Sequence, residues 1–153
     1  MVSEAKKVLA ISSCGGHWTQ LKRLLPALDG CKIVFVTEHA RYRTDAGSEK
    51  FYFLNAAIRW DKIGLLRQAG KIFWIVIKER PDYVISTGTA CGFFAFCFAK
   101  LLLGSRTIWV DSIANTESLS LSGRLAGRLA DLWLTQWPHL AKEGGPYYYG
   151  STL

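Results

Sequence analysis

The sequence predicts a doubly wound, Rossmann-like α/β domain, in which helices cover both faces of a mostly parallel sheet. Three observations predict this fold. Short apolar, β-rich runs alternate with helical segments along the chain. The 153 residues suit one domain and are too few for a two-domain enzyme. Hydrophobic residues make up 50% of the chain and charged residues 20%, which allows a core and excludes intrinsic disorder.

Six strands are predicted, one for each apolar run that is bounded by a turn or a helical segment. Runs of this kind separated by helices are typical of a parallel sheet that is covered on both faces. The predicted strands are Lys7 to Ser13, Lys32 to Glu38, Phe51 to Asn55, Tyr83 to Gly88, Thr107 to Ser112 and Leu132 to Trp137.

Four helices are predicted between these strands. In the first, apolar residues from Trp18 to Leu28 recur at three- and four-residue spacing, and Pro26 predicts a kink or an early end. Arg80-Pro81 ends the longest helix, and Gly104 closes the next. The other predicted helices are Asp61 to Glu79, Gly92 to Leu103 and Ser122 to Ala130, and an irregular tail runs from Glu143 to Leu153.

The chain carries 19 Lys and Arg against 12 Asp and Glu, and this net charge of +7 suits an anionic partner. Nucleic-acid binding is not predicted, because zinc-ligand spacing, a basic recognition helix and an aromatic-basic strand motif are all missing. We expect no metal and no cofactor. The four cysteines show no paired spacing and the start of the chain lacks the apolar run of a secretion signal, so we expect reduced thiols in a cytosolic protein. No membrane span is expected, but we expect contact with a membrane surface.

The turn after the first strand, Ser12-Ser13-Cys14-Gly15-Gly16-His17, is the first candidate site. Ligands of open parallel sheets bind beyond the carboxyl ends of the strands. Adjacent glycines let backbone amides approach a phosphate, and the following helix directs its positive end toward it. His17 falls in the first helical turn, where the helix dipole favours a neutral imidazole that can accept a proton. The alternative is a tight turn with a capping serine and an incidental histidine.

Two further strand ends carry polar residues. Thr87 and Gly88 end the fourth strand and Thr89 follows it, and this loop is predicted to face the same crevice as the glycine turn. A plain strand-to-helix connection is the alternative. Asp111 ends the fifth strand, where its carboxylate could orient a sugar hydroxyl or His17, or instead cap the next loop.

The longest helix carries a basic stripe that contains one tryptophan. Its members, at i, i+4, i+7 and i+11, are Arg67, Lys71, Trp74 and Lys78. Such a stripe is typical of a helix that lies at a membrane interface. The alternative is a solvated helix face with one exposed Trp.

A nicotinamide-binding domain is a further alternative. Glu38 ends the second strand about 20 residues beyond the glycines, where a ribose-binding acid would lie. The third glycine of that fingerprint is missing, however, and Trp18 stands where a small residue is needed for close packing.

Several segments together resemble the PssD-type polysaccharide-biosynthesis family. That family is similar to the membrane-associated subunit of the two-part N-acetylglucosamine transferase of dolichol-linked glycan assembly. Each motif is weak alone, but their order and spacing over nearly the whole chain are specific. The segments are SSCGGHWTQL at 12–21, PDYVISTG at 81–88, SLSGRL at 120–125, Ala130-Asp131 and Gln136-Trp137.

The resemblance implies that residues 1–153 form the amino-terminal, acceptor-side half of a GT-B glycosyltransferase for exopolysaccharide biosynthesis. A separate PssE-like subunit would bind the UDP-sugar donor, and the acceptor would be a polyprenyl-diphosphate-linked saccharide. The implied place is the cytoplasmic face of the inner membrane, with peripheral attachment. The alternative is a non-catalytic subunit that recruits its partner to the membrane.

The resemblance also implies site residues. His17 and Asp111 would be the catalytic residues, with His17 as the base and Asp111 at a position where relatives often carry Glu. The acceptor and its phosphates would lie against the two loops, at Ser12, Ser13, Gly15, Gly16, Thr87, Gly88 and Thr89.

Overall fold

The computed structural model describes residues 4–58 and 60–152, and within these residues six parallel strands form one sheet. The strands are β1 (Lys7–Ser12), β2 (Lys32–Thr37), β3 (Lys50–Phe53), β4 (Tyr83–Ser86), β5 (Arg106–Val110) and β6 (Leu132–Leu134). Their order in the sheet is β3-β2-β1-β4-β5-β6, which is the doubly wound order that reverses between β1 and β4. The predicted fold class is therefore confirmed.

Four α-helices connect the described strands, and short 3₁₀ segments complete the turns. The helices are α1 (Gly16–Leu24), α2 (Lys62–Glu79), α3 (Thr89–Phe98) and α4 (Leu121–Ala126). The 3₁₀ segments are Leu25–Leu28, Ala40–Thr44 and Pro138–Leu140, and a π-helical turn, Ala99–Leu103, continues α3. Pro26 lies in the 3₁₀ segment that follows α1, so the predicted early end of the first helix is confirmed.

Several predicted boundaries are wrong by a few residues. The fourth strand stops at Ser86, because the Ser86 hydroxyl turns the chain by bonding both the N–H and the carbonyl of Gly88. The next helix consequently begins at Thr89 and not at Gly92. The last helix begins at Leu121, after Ser120 accepts a hydrogen bond from Gly123 N, and the helix ends at Ala126.

The tail is more ordered than the sequence predicts. Tyr147 forms a parallel bridge with Leu134 at the open edge of β6. Its N–H donates to the carbonyl of Trp133 at 2.8 Å, and its carbonyl accepts from Thr135 N at 2.9 Å. The tail therefore covers part of this sheet edge.

The core has two layers, one on each face of the sheet. Helices α2, α3 and α4 pack on one face, where Phe96 meets Trp109 edge to face with ring centroids 5.4 Å apart. Helix α1 packs on the other face through Trp18 and Leu21, against β1 and β2. Both faces of the central strands are thus buried, as the apolar runs predict.

A buried carboxylate ties the end of α2 to the amino ends of β1 and β3. Glu79 is 2% exposed and accepts hydrogen bonds from Tyr52 Oη at 2.6 Å and from Lys50 Nζ at 3.0 Å. Lys7 Nζ lies 3.5 Å from the same carboxylate. Burial, followed by the hydrogen bond to Glu79, raises the pKa of Tyr52 to about 12. Burial alone would raise the pKa of Glu79, but its bonds to Tyr52 and Lys50 and the charges of Lys50 and Lys7 outweigh it, so that pKa is lowered.

Replacing Glu79 with alanine is expected to lower the free energy of unfolding by about 2 to 3 kcal/mol at pH 7. The loss stays at the lower end of the range for buried ion pairs, because the ammonium groups of Lys7 and Lys50 reach solvent. Since the pKa of Glu79 is lowered by folding, its contribution is present above the ordinary value of 4.5 and is lost as the pH falls through the folded pKa. Urea unfolding at pH 7 and pH 3.5 measures both effects.

The matched control is Glu4→Gln, which removes an exposed carboxylate 4.0 Å from Lys32 at the same edge of the sheet. A change below about 0.5 kcal/mol is expected there. A Glu79→Ala protein as stable as the wild type at pH 7 would contradict this role of the buried carboxylate.

Candidate functional site

The loops after β1 and β4 meet at the carboxyl edge of the sheet, where the strand order reverses. The Nδ1 atom of His17 lies 2.8 Å from the carbonyl oxygen of Thr87. In return, Thr87 Oγ1 donates to the carbonyl oxygen of His17 at 2.7 Å. Two loops 70 residues apart are therefore held together by a reciprocal pair of hydrogen bonds.

This pairing fixes which nitrogen of His17 is basic. A carbonyl oxygen can only accept a hydrogen bond, so Nδ1 carries the proton of the neutral ring. The lone pair then lies on Nε2. Because His17 lines a cavity at this edge of the sheet, its ring can offer a proton acceptor to a bound ligand.

Gly88 makes room for the imidazole. Its φ is +132°, which L residues with a side chain rarely adopt. A Cβ added at Gly88 would lie 2.8 Å from His17 Cε1 and 2.9 Å from Nδ1. Gly88 is thus required by the close approach of the histidine ring.

The cavity next to His17 has a volume of about 550 Å³ and two unlike walls. Its polar wall comes from the strand-end loops and from the first turns of the helices that follow them, and it includes His17, Thr89, Ser112, Asn115 and Ser122. Its apolar wall comes from α2, α3 and α4 and includes Leu65, Phe93, Phe94, Leu121 and Leu125. Leu121 and Leu125 are also exposed, so the apolar wall reaches the protein surface. The cavity suits a ligand with a polar and an apolar part.

Thr89 stands out at the polar wall because of its backbone. Its φ is +72°, an uncommon conformation for a β-branched residue. Its hydroxyl lies 3.0 Å from the Cys91 sulfur. Burial raises the pKa of Cys91 to about 12, so this thiol stays neutral. Strain of this kind is typical of functional sites.

The glycine turn leaves only some of its amides free. Gly15 N donates to Tyr42 Oη at 3.0 Å, so this amide is already bonded. No side chain caps the start of α1, which begins at Gly16. Ser12 and Thr87 have no exposed surface and shape the loops from inside. The exposed part of the turn is Cys14, Gly15 and Gly16.

Tyr42 lies in a 3₁₀ segment that the sequence did not predict. Its ring stacks on Trp18 with centroids 4.9 Å apart. The hydrogen bond from Arg41, followed by that from Gly15 N, lowers the pKa of the Tyr42 hydroxyl. Neither periodicity nor turn chemistry signals this contact across 27 positions.

Asp111 holds the loop that follows β5. It is 1% exposed and accepts from Ser120 Oγ at 2.8 Å, Ser120 N at 3.2 Å and Asn115 Nδ2 at 3.1 Å. Trp109 Nε1 supplies a fourth donor at 3.2 Å. Of the alternatives left by the sequence, these contacts fit loop capping; among the described residues no hydrogen bond joins Asp111 to His17.

Two glutamines without a predicted role tie this loop to α1 and the tail. Gln20 Oε1 accepts from Gln136 Nε2 at 2.7 Å and from Ile113 N at 3.2 Å. Gln136 Nε2 also donates to Asp111 O at 2.9 Å, and Gln136 Oε1 accepts from Thr152 N at 2.8 Å. Both glutamines lie in the segments that carry the family resemblance, SSCGGHWTQL and Gln136-Trp137, and this resemblance is the signal that could have identified them.

The outer face of α2 exposes both basic side chains and large apolar side chains. The predicted stripe of Arg67, Lys71, Trp74 and Lys78 is exposed, and Lys78 Nζ lies 4.5 Å above the Trp74 ring. The sequence did not predict that large apolar side chains accompany the cations. They are Ile63, Leu66, Phe73 and Ile77, of which Leu66 is 75% exposed. Among the helices that the structure describes, none is both long and apolar enough to pass through a bilayer.

Solved structures share this fold. MurG from Acinetobacter baumannii matches 97% of the chain with a TM-score of 0.76 and 15% identity. A UDP-N-acetylglucosamine 2-epimerase from Rickettsia bellii matches 97% with a TM-score of 0.73 and 18% identity. The chain spans 46% of each of these proteins, a little under half of their length.

Sequence comparisons give the family. The family model described as "Oligosaccharide biosynthesis protein Alg14 like" matches residues 61–152. The UDP-N-acetylglucosamine transferase subunit ALG14 of Yarrowia lipolytica is 35% identical, over 90% of this chain and 76% of its own length. The proteins of the same name from Eremothecium gossypii and Homo sapiens are 28% and 24% identical, over 90% and 92% of this chain and 75% and 79% of their own length. These relatives match about nine tenths of this chain, a larger part than the family model covers. The chain belongs to the Alg14-like family of oligosaccharide biosynthesis proteins.

Proposed function

We propose that this chain is the acceptor-binding subunit of a two-part glycosyltransferase that moves N-acetylglucosamine from its UDP donor to a lipid-linked saccharide. The relatives are named as subunits of a UDP-N-acetylglucosamine transferase, which supports the donor and the need for a second chain. The observation that carries the proposal is His17, whose basic nitrogen belongs to the polar wall of an amphiphilic cavity.

His17 acts as the general base in this proposal. Nε2 takes the proton of the acceptor hydroxyl while that oxygen forms a bond to the anomeric carbon of the donor sugar. The bond from the anomeric carbon to the diphosphate breaks, and UDP leaves with the bonding electrons. The Thr87 carbonyl stabilises the imidazolium through Nδ1–H. A positioned base contributes on the order of 100- to 10,000-fold to such a step.

The acceptor would be a polyprenyl-diphosphate-linked saccharide. The start of α1 offers amides that no side chain caps, at Gly16 and His17, and the positive end of the helix dipole favours a diphosphate there. Gly15 and Thr89 complete the accessible polar surface around it, whereas Ser13 and Gly88 are buried and support it from below. The apolar wall at Phe93, Leu121 and Leu125 suits the first isoprene units. The buried Ser12 and Thr87 support these loops without touching the ligand.

A separate, PssE-like chain would bind the donor. A GT-B enzyme places its reaction in the cleft between two domains of this kind, and this chain supplies one such sheet. In the bacterial exopolysaccharide setting that the sequence suggested, the complex would lie on the cytoplasmic face of the inner membrane.

The direct test is reconstitution. The chain is co-expressed with a candidate donor-binding subunit and supplied with radiolabelled UDP-N-acetylglucosamine and a short polyprenyl-diphosphate-linked N-acetylglucosamine. Transfer of label into the organic phase is expected only when both chains are present. Full transfer by the partner alone would contradict the proposal, and so would calorimetric binding of NAD by this chain alone, which would revive a nucleotide-binding oxidoreductase.

Membrane contact through α2 is expected to depend on its cations. Replacing Arg67, Lys71 and Lys78 with glutamate is expected to lower partitioning onto anionic vesicles at least 100-fold, because each basic residue near such a surface contributes about 1 kcal/mol. Flotation with vesicles that contain phosphatidylglycerol measures the effect. Transfer to a short soluble acceptor should be spared.

The control for charge alone replaces three other basic residues with glutamate: Lys32, Arg106 and Lys142. These residues are exposed and lie outside α2. This variant has the same net charge and is expected to keep most of its vesicle binding, since it keeps Trp74 and the basic stripe. Equal flotation of the α2 variant and the wild type would exclude this face as the membrane contact.

A further inference from the structure

Glu38 is an ionisable side chain at the same edge of the sheet as His17, and it has no role in the mechanism proposed above. It directly follows β2, which lies next to β1 in the sheet. The register pairs Ser12 with Thr37, so the next position of each strand brings Ser13 beside Glu38. Glu38 and the glycine turn therefore leave neighbouring strands at the same height.

The Glu38 carboxylate is held in place from α2. Gln68 Nε2 donates to Glu38 Oε1 at 2.8 Å and to the carbonyl oxygen of Asn55 at 3.1 Å. Gln68 is 4% exposed and belongs to the buried face of α2 with Ile72 and Ile75. Burial raises the pKa of Glu38, while the hydrogen bond from Gln68 and then the charge of His17 lower it. Leu65 lies three residues before Gln68 on α2 and lines the cavity next to His17, so α2 holds the Glu38 carboxylate beside that cavity.

The other ionisable groups at this edge are engaged or neutral. Asp111, directly after β5, accepts hydrogen bonds from Trp109 of β5 and from three donors of its own loop. Cys91 from α3 is neutral, since burial raises its pKa to about 12. On the far side of the turn, Arg41 donates to Tyr42 Oη at 3.0 Å, and His39 Nδ1 accepts from Arg41 N at 3.3 Å. Among these described groups, Glu38 is the carboxylate that these contacts leave available to act on His17.

We propose that Glu38 is a positioning residue that acts through His17: its carboxylate, held by Gln68, stabilises the imidazolium that forms when His17 takes the acceptor proton. This proposal rests on the proposed function of His17 as the base. A fixed negative charge attracts the protonated ring but has no net charge to attract in the neutral ring, so it favours the state after proton transfer. The same attraction holds the charged ring in its orientation toward the acceptor.

The test replaces Glu38 with glutamine, which keeps the size of the side chain and removes its charge. In ¹H–¹⁵N spectra of the full chain, the pH midpoint of the His17 ring titration is expected to move downward, with the resonance assigned by its loss in H17Q. In the reconstituted complex kcat is expected to fall on the order of tenfold, the size that one charge acting over several ångströms supplies. KM for the acceptor is expected to change little.

Two further variants keep the test decisive. Glu38→Asp retains the charge, and its midpoint is expected to lie between those of Glu38→Gln and the wild type. Glu4→Gln removes the same charge at the opposite edge of the sheet, before β1, and should leave the midpoint unchanged. An unchanged midpoint in Glu38→Gln would overturn the proposal. Because the titration needs no glycosyl transfer, that result is distinct from a failure of the proposed function, which would appear as an inactive wild-type complex.

Discussion

Replacing His17 with glutamine is expected to lower kcat for glycosyl transfer by 100- to 10,000-fold without preventing assembly with the partner chain. Glutamine can still donate a hydrogen bond to the Thr87 carbonyl, so the contact between the two loops is kept. It offers no basic nitrogen to the acceptor hydroxyl. Initial rates at saturating donor measure the loss, and size-exclusion chromatography of the complex measures assembly.

The same variant separates the two functions that the family allows. A loss of transfer with intact assembly and intact vesicle binding places proton transfer on this chain. Near-normal turnover would reject His17 as the base and would favour a membrane-recruiting subunit whose partner performs all of the chemistry.

Replacing Gly88 with alanine is expected to reduce transfer on the order of 100-fold, because a displacement of about 1 Å at a reacting group has effects of this size. The new Cβ would lie 2.8 Å from His17 Cε1, so the ring must move away from the Thr87 carbonyl. The φ of +132° adds a stability loss of about 1 to 3 kcal/mol. Transfer rates and thermal unfolding of the same preparation measure the two effects separately.

Gly104→Ala is the matched control. Gly104 also has a positive φ, +66°, but an added Cβ would meet nothing within 4 Å. We expect a loss of about 1 kcal/mol in stability and no change in transfer. Equal activity of Gly88→Ala and Gly104→Ala would show that the position of the His17 ring does not limit the reaction.

The sequence predicted the place of the site better than its contacts. Strand-end loops of a doubly wound sheet meet at one edge by rule, so Gly16, His17 and Thr89 could be placed without coordinates. The bond between His17 Nδ1 and the Thr87 carbonyl could not be predicted, because it depends on how two loops 70 residues apart orient their backbones. The same holds for Tyr42, whose hydroxyl reaches Gly15 only through the stacking of its ring on Trp18.

The outer face of α2 shows a second kind of limit. Spacing identified Arg67, Lys71, Trp74 and Lys78, because helical periodicity places them on one stripe. Spacing did not show that Leu66 is also uncovered, since an apolar residue beside a buried face is usually read as part of the core. Only the packing of α2 on the sheet decides which of its leucines face solvent.

The anchoring of α2 by Glu79 bears on how a substrate would travel. The helix is about 27 Å long. Glu79 anchors its carboxyl end to the sheet, and Leu65 near its amino end lines the cavity. If this rod lies flat along the lipid headgroups, the mouth of the cavity is kept at a constant height above them. A saccharide carrier that diffuses in the leaflet would then enter the cavity laterally, while most of its isoprenoid tail stays in the hydrocarbon core of the membrane.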